Sequence, residues 1–198
     1  EIILDLCASP GSKTTQCAAK MQNTGTIIAN EVSMGRIKIL ASNLERCGVT
    51  NTIITKKEGI AVCRQLKKQE IQFDKILIDA PCSGEGTLRS SPKTYVMWNP
   101  KTITSLSSLQ KQMIESALEI LKPKGEIVYS TCTHAPEENE ELVDWTLKKF
   151  KGQLEIQNIS LPITPRQGIK KFKDREYLEE IKYAYRVYPH DNNTEGFF

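Results

Sequence analysis

Residues 1–30 read EIILDLCASPGSKTTQCAAKMQNTGTIIAN, and the change of rhythm inside them decides the fold. EIILDL is a short apolar run of strand type. After a loop holding Pro10 and Gly11, SKTTQCAAKMQ spaces its small and apolar residues as one face of a helix, and GTIIAN returns to a strand. The pattern then repeats, with SMGRIKILASNLERCG, NTIIT, GIAVCRQLKKQ and FDKILIDA continuing as helix, strand, helix and strand. Continuous apolar strands with helices between them need a mostly parallel sheet covered on both faces. The sequence therefore predicts a doubly wound α/β domain. A loop rich in Gly, Ser and Pro follows. Beyond it come a helix around ITSLSSLQKQMIESALEILK, the strand EIVYST, an acid-capped helix in PEENEELVDWTLKKF and a strand at LEIQNI. SLPITPRQGIKKFKDREYLEE reads as a long surface excursion before YAYRVYP.

With 198 residues, one domain with a core sufficient without disulfide or metal staples is expected. Apolar residues make up 39% and charged residues 26%, the balance of an ordinary water-soluble domain. No apolar run approaches the ~20 residues of a membrane span, so no membrane partner is expected. No signal-peptide pattern opens the chain, and upstream sequence is expected. The excess of 27 basic over 24 acidic residues is too small to imply a polyanionic partner, so local clustering must carry that argument. Six cysteines, at 7, 17, 47, 63, 82 and 132, form no CxxC pair and no zinc spacing with His134 and His190. No metal site is expected, and a reducing compartment suits such scattered thiols. Cys17, Cys47 and Cys63 read as small buried hydrophobes.

In doubly wound sheets, ligands bind beyond the carboxyl ends of the strands. The first such loop is DLCASPGSKTT, whose Gly11 permits close backbone approach and whose following helix offers free N–H groups. It is not a Walker loop, because Cys7 and Ser12 stand at the glycine positions of GxxxxGK[ST]. Nor is it a dinucleotide fingerprint, because GxGxxG is missing, which also argues against a dehydrogenase. Glu31 ends the second strand twenty residues after Gly11, where a carboxylate can accept both hydroxyls of a ribose. The competing reading is an acid complementing a helix dipole. Glu58, after the third strand, is placed for an adenine amino group or is a solvated carboxylate beside Lys56 and Lys57.

Cys82 in DAPCSG and Cys132 in STCT follow the expected fourth and fifth strands, which places both thiols at one pocket. A Pro-Cys dipeptide after such a strand is also the nucleophile motif of DNA cytosine methyltransferases, and alone it nominates Cys82. Four ordered motifs change that assignment. LDLCASPGSKTTQ, ILIDAPCSGEGTLR, VYSTCTHAPEENE and RVYPHDNNTEGFF resemble the Nop/Sun family of S-adenosylmethionine-dependent RNA cytosine-5 methyltransferases, across essentially the whole chain. The resemblance implies a seven-stranded Rossmann-like methyltransferase sheet whose last strand is incomplete here. It implies a catalytic domain over residues 1–198, with the family's N-terminal RNA-binding region lying outside it.

In that family the Thr-Cys thiol attacks the base and the Pro-Cys thiol assists product release. Carried over, Cys132 is the nucleophile and Cys82 the releasing group; an acid bonded to ring nitrogen 3 would stabilise charge during attack, and Asp79, protonated or sharing a proton, sits on the required loop. The chemistry accounts for two thiols. A thiolate added at carbon 6 of cytosine turns carbon 5 into a nucleophile, and a second group must then take the carbon-5 proton so that the adduct can break down. S-adenosylmethionine is implied at Cys7, Ala8, Ser9, Pro10, Gly11, Ser12, Lys13, Glu31, Arg36, Glu58 and Asp79. Ser9, Ser12 and Glu58 depart from the family's usual Ala, Gly and Asp. Nothing in the sequence names the group that ionises Cys132, and His134 reads either as that group or as a solvent-facing side chain.

An RNA substrate follows from the resemblance, with tRNA first and ribosomal RNA second, acted on in the cytoplasm by a monomer. The competing reading is a non-catalytic RNA-binding module with a vestigial pocket, which would need neither both thiols nor Asp79. Arg89 and Lys93, just past the Pro-Cys motif, are candidate RNA contacts. The basic run RQGIKKFKDR carries Arg166, Lys170, Lys171, Lys173 and Arg175 against Asp174, and reads either as a phosphate-binding cluster or as a solvated face. Trp98 either stacks on a base or anchors its loop.

Overall fold

The computed structural model describes residues 1–198, the side chain of Met97 excepted. In chain order it runs β1 (Ile2–Asp5), α1 (Ser12–Lys20), β2 (Thr26–Asn30), α2 (Met34–Arg46), β3 (Thr52–Thr55), α3 (Gly59–Lys68) and β4 (Phe73–Asp79). Then come α4 (Lys93–Met97), α5 (Pro100–Leu118), β5 (Leu121–Ser130) and α6 (Glu140–Lys149). Four two-residue strands, β6 (Arg166–Gln167), β7 (Lys171–Phe172), β8 (Arg175–Glu176) and β9 (Tyr185–Arg186), precede α7 (Pro189–Asn192). The chain divides into two compact units: residues 1–80 with 112–129, and residues 81–111 with 130–198.

The first unit carries the alternation that the sequence predicts. Its sheet has the order β3-β2-β1-β4-β5, and the β1–β2, β1–β4 and β2–β3 pairings are parallel. The chain starts in the middle, winds outward to β3, then returns to β4 on the other side of β1. That reversal places the ends of β1 and β4, at Asp5 and Asp79, side by side at the topological switch point. The helices bury residues one turn apart: Thr14 and Ala18 on α1, Leu40 and Leu44 on α2, Val62, Cys63 and Leu66 on α3. Leu4, Leu6, Ile27, Leu40, Phe73, Ile76 and Ile78 are fully buried. Each contributes about 1.5–3 kcal/mol relative to exposure.

The main sheet holds five strands among the described residues, where the family resemblance implied seven. The remaining strands form two antiparallel ribbons, β6 with β9 and β7 with β8. LEIQNI, expected as a strand, is not one. Its alternation is real, but Ile159 is 54% exposed and the segment has no ladder partner among the described residues. Cys63 is buried, Cys17 half-buried, and Cys47 exposed at the C-cap of α2, against the expectation of a buried thiol.

Beside the apolar Leu142 and Ile181, the second unit buries a network of polar groups. Arg186, 3% exposed, donates Nε and Nη2 to the carboxylate of Glu140 and Nη1 to the carbonyl of His134 at 3.0 Å. Thr131 Oγ1 donates to Asn139 Oδ1 at 2.7 Å, and Asn139 Nδ2 donates to the Thr133 carbonyl at 3.0 Å. The C-terminal residues run alongside. Thr131 and Phe198 exchange backbone hydrogen bonds of 3.1 and 3.0 Å, and Gly196 N donates to the Gly86 carbonyl at 2.8 Å. A side chain at Gly86 would collide with the Gly196 carbonyl, and one at Gly196 with the His134 ring. Among the described residues, no helix is long and apolar enough to cross a membrane.

Candidate active site

The loop after β1 is built to leave its backbone bare. Gly11 has φ of 105°, a left-handed conformation that disfavours any side chain, and a Cβ there would press on Leu40 Cδ1 at 3.0 Å. Beneath the loop, Asp5 is buried: its Oδ2 accepts from Thr14 Oγ1 at 2.7 Å, while Oδ1 has no hydrogen-bond partner among the described residues. Burial pushes the Asp5 carboxyl up to about 6, and pushes the neighbouring Cys7 thiol up to about 12. A carboxylate oxygen buried without a donor, below a bare loop and a helix N-terminus, suits a ligand that brings its own donor.

Ser9 and Arg36 tie this loop to α2. Ser9 Oγ donates to the Arg36 carbonyl at 2.9 Å, and Arg36 Nη2 donates to the Ser9 carbonyl at 2.5 Å. The hydroxyl that departs from the family's Ala therefore has a structural partner. Arg36 Nη1 lies 3.4 Å from Glu31 Oε2, and Glu31 Oε1 accepts from Ser33 N at 2.9 Å. A carboxylate has about four acceptor sites, so Glu31 retains capacity for two hydroxyls. Glu58 is exposed at the N-cap of α3, where its side chain caps nothing. Lys13 Nζ donates to Asp79 Oδ2 at 2.6 Å across the β1/β4 switch point, with the Asp79 side chain 34% exposed.

Asn30 is the residue of this half that sequence reasoning misses. Its side chain is 1% exposed; Nδ2 donates to the carbonyls of Leu6 and Lys57, and Oδ1 accepts from Thr55 Oγ1 and Lys57 N. Its own carbonyl accepts from Ala8 N at 2.9 Å. One amide thus holds the loops after β1 and β3 to the end of β2. An Asn closing an otherwise apolar strand, TIIAN, is the signal that was available.

In the second unit, the two thiols meet. Cys82 Sγ and Cys132 Sγ are 3.2 Å apart, and Cys132 N donates to Cys82 Sγ at 3.3 Å. The Cys132 sulfur, then burial, push the Cys82 thiol far above its ordinary value, and either sulfur can donate across the contact. Glu138 sets the spacing of the two loops. Completely buried, it accepts from Ser83 N at 3.2 and 3.3 Å and from Gln110 Nε2 at 2.7 Å, while Gln110 also donates to the Pro81 carbonyl. Burial pushes the Glu138 carboxyl up. Ser83 and Thr133, each following a thiol, share a 2.6 Å hydrogen bond between their hydroxyls. The run PEENE holds Glu138 and Glu140, and its acids are internal ligands of the loop rather than only a helix cap.

His134 has a structural place. Its ring stacks on Tyr188 at 5.2 Å, burial lowers its affinity for a proton, and its Nδ1 has no partner among the described residues. The basic run is neutralised throughout: Lys170 pairs with Glu179, Lys171 with Glu176, Lys173 with Glu137, Arg175 with Glu141 and Arg166 with Asp191. Arg89 and Lys93 are exposed and have no ion pair among the described residues. Trp98 is half-exposed and anchored, its Nε1 donating to Glu85 Oε1 at 2.5 Å. No group of three or more His, Cys, Asp or Glu among the described residues is arranged to hold a metal ion.

Comparison with known proteins gives consistent results. The family described as 16S rRNA methyltransferase RsmB/F matches residues 1–198. The chain is 42% identical over 198 residues to a tRNA (cytosine(49)-C(5))-methyltransferase of Pyrococcus abyssi, covering all of this chain and 62% of that protein. It is 39% identical over 198 residues to ribosomal RNA small subunit methyltransferase F of Pectobacterium carotovorum, covering all of this chain and 38% of that protein. The crystal structure of NSun6 from Pyrococcus horikoshii with SFG superposes with a TM-score of 0.79 at 34% identity, over 100% of this chain and 46% of that one.

Proposed function

Because the chain belongs to the RsmB/F family of 16S rRNA methyltransferases, we propose that it forms the catalytic domain of an enzyme that methylates carbon 5 of cytosine in RNA, with S-adenosylmethionine as donor. The observation that carries this reading is the 3.2 Å contact between Cys82 and Cys132, a pair that a binding module does not need. The bare backbone at Gly11 and the carboxylate of Glu31 fit the cofactor's methionine part and ribose, and Asp5 Oδ1 is an acceptor awaiting a donor. When bound, S-adenosylmethionine supplies a methyl group activated as a sulfonium.

The chain's own residues handle the base. Cys132 is the attacking thiolate, and the Cys82 sulfur stands 3.2 Å from it. Cys132 Sγ adds to carbon 6, and the electron pair displaced onto the ring is met at nitrogen 3 by a proton that Asp79 relays from the Lys13 ammonium beside its Oδ2 and takes back when the adduct breaks down. Once that sulfur is bonded to carbon, no thiolate faces Cys82, and the main cause of its raised pKa is gone. Cys82 then releases its own proton to water and takes the proton from carbon 5. The carbon–sulfur bond breaks, and its electrons return to Cys132.

We take tRNA as the substrate, supported by the relative that shares the larger fraction of its own length, with ribosomal RNA as the second reading supported by the family description. The reaction is placed in the cytoplasm, on a monomer. The test is a pair of substitutions. Cys132→Ala should abolish methylation and any covalent complex, whereas Cys82→Ala should attack, transfer the methyl group and stall as a protein–RNA conjugate that survives denaturing electrophoresis. A conjugate from Cys132→Ala alone would reverse the two roles, and none from either variant would overturn the covalent mechanism.

A further inference from the structure

Between Glu85 and Lys111 the sequence contains no Asp or Glu, yet it carries Arg89, Lys93 and Lys101. All three are exposed and have no ion pair among the described residues. The same stretch presents large apolar side chains to solvent, with Tyr95 78% exposed, Val96 84% and Leu88 43%. Clustered exposure of this kind marks a contact surface. Trp98 is not its free ring, because Glu85 holds the indole. The other oxygen of Glu85 accepts a long hydrogen bond of 3.4 Å from Thr133 Oγ1, and Thr133 follows Cys132 directly. Tyr95 makes no side-chain hydrogen bond and no ring contact among the described residues.

We propose that residues 88–101 form a stacking platform for an unpaired base of the substrate strand, with Tyr95 as the stacking ring and Arg89, Lys93 and Lys101 on the flanking phosphates. The proposal deepens the RNA methyltransferase reading and rests on it. Charge decides the occupant. A patch of single-sign, unpaired cations around an open aromatic ring is complementary to a single strand, in which every base has a π-face and every linkage an anion. Glu85 links this surface to the nucleophile loop, since one carboxylate bonds both the anchor of the platform and the residue after Cys132.

The experiment titrates the full-length protein with a short single-stranded RNA oligonucleotide carrying 2-aminopurine next to a cytidine, and follows its fluorescence. Tyr95→Ala should weaken binding by about tenfold, the loss of one base stack, and Tyr95→Trp should restore it. Arg89→Ala and Lys93→Ala should each lower the salt dependence of binding by about one unit of slope. Because these side chains face solvent, the substitutions leave the fold in place. Unchanged affinity in Tyr95→Ala, or no rescue by Trp, overturns the platform and leaves the patch to a protein partner. The two readings fail separately. If Cys82→Ala traps RNA but Tyr95→Ala binds as the parent does, only the platform falls; if Cys82→Ala traps nothing while Tyr95→Ala still loses affinity, only the covalent mechanism falls.

Discussion

The large buried side chains of the first unit are mostly apolar, Leu4, Leu6, Ile27, Leu40, Phe73, Ile76 and Ile78, whereas the second buries Gln110, Glu138, Asn139, Glu140 and Arg186 beside Leu142 and Ile181. Apolar burial is non-directional, and it tolerates any side chains of suitable volume. A buried polar network holds only in one arrangement, because each group that loses its partner carries the full cost of desolvation. The difference matches what each unit must do. A sheet that offers loops to a cofactor needs shape, while two sulfur atoms held 3.2 Å apart need fixed angles and distances.

Arg186→Met tests this contrast most severely, because it leaves Glu140 charged and buried with its main partner gone. Urea denaturation should show a loss of about 3–5 kcal/mol, largely recovered when Glu140→Leu is added. A loss below about 1 kcal/mol would place the second unit's stability in its apolar contacts after all.

Asp5 is one of the buried polar groups inside the first unit, with Asn30 and Glu31, and its pH dependence sharpens the comparison. Burial raises its carboxyl to about 6 from 3.8, so the folded state binds the proton more tightly than the unfolded chain. Its contribution is therefore fully present below about pH 4 and is lost as pH rises through about 6. Relative to Asp5→Asn, the parent should lose roughly 3 kcal/mol between those limits and neutral pH. Parallel stability curves for the two proteins would remove Asp5 as the source.

The smallest effect belongs to the exposed basic run. Lys171 and Glu176 lie 3.7 Å apart with side chains 63% and 79% exposed, and Lys171→Ala should change stability by less than about 0.5 kcal/mol. A cost above about 1 kcal/mol would mean that the β7–β8 ribbon is held by its ion pairs rather than merely decorated by them.

The same contrast explains what could be read from the chain. Every strand and helix from β1 to β4 follows from local periodicity, because residues two apart on a strand, or three and four apart on a helix, share a face whatever lies beyond them. The carboxylates of Glu138 and Glu140 look like a helix cap in sequence, since the partners that explain them, Ser83, Gln110 and Arg186, stand 28 to 55 residues away. LEIQNI has the right alternation, but a strand is made by its neighbour, and pairing leaves no local mark. The acid-free stretch after Glu85 was legible. It is a pattern of omission, and attention goes to the basic run, where charges are dense and, in the fold, already neutralised.

The backbone pairing of Thr131 with Phe198 also sets an order of manufacture. Synthesis delivers β1 to β4 early, and those strands find one another within the first eighty residues. The segment bearing Cys132 waits for residues 196–198 to leave the ribosome before its rail is complete. A nascent chain therefore has the loops of Gly11 and Glu31 in place while Cys132 is still loosely held, and it completes the half built on apolar contacts before the half that carries the paired thiols.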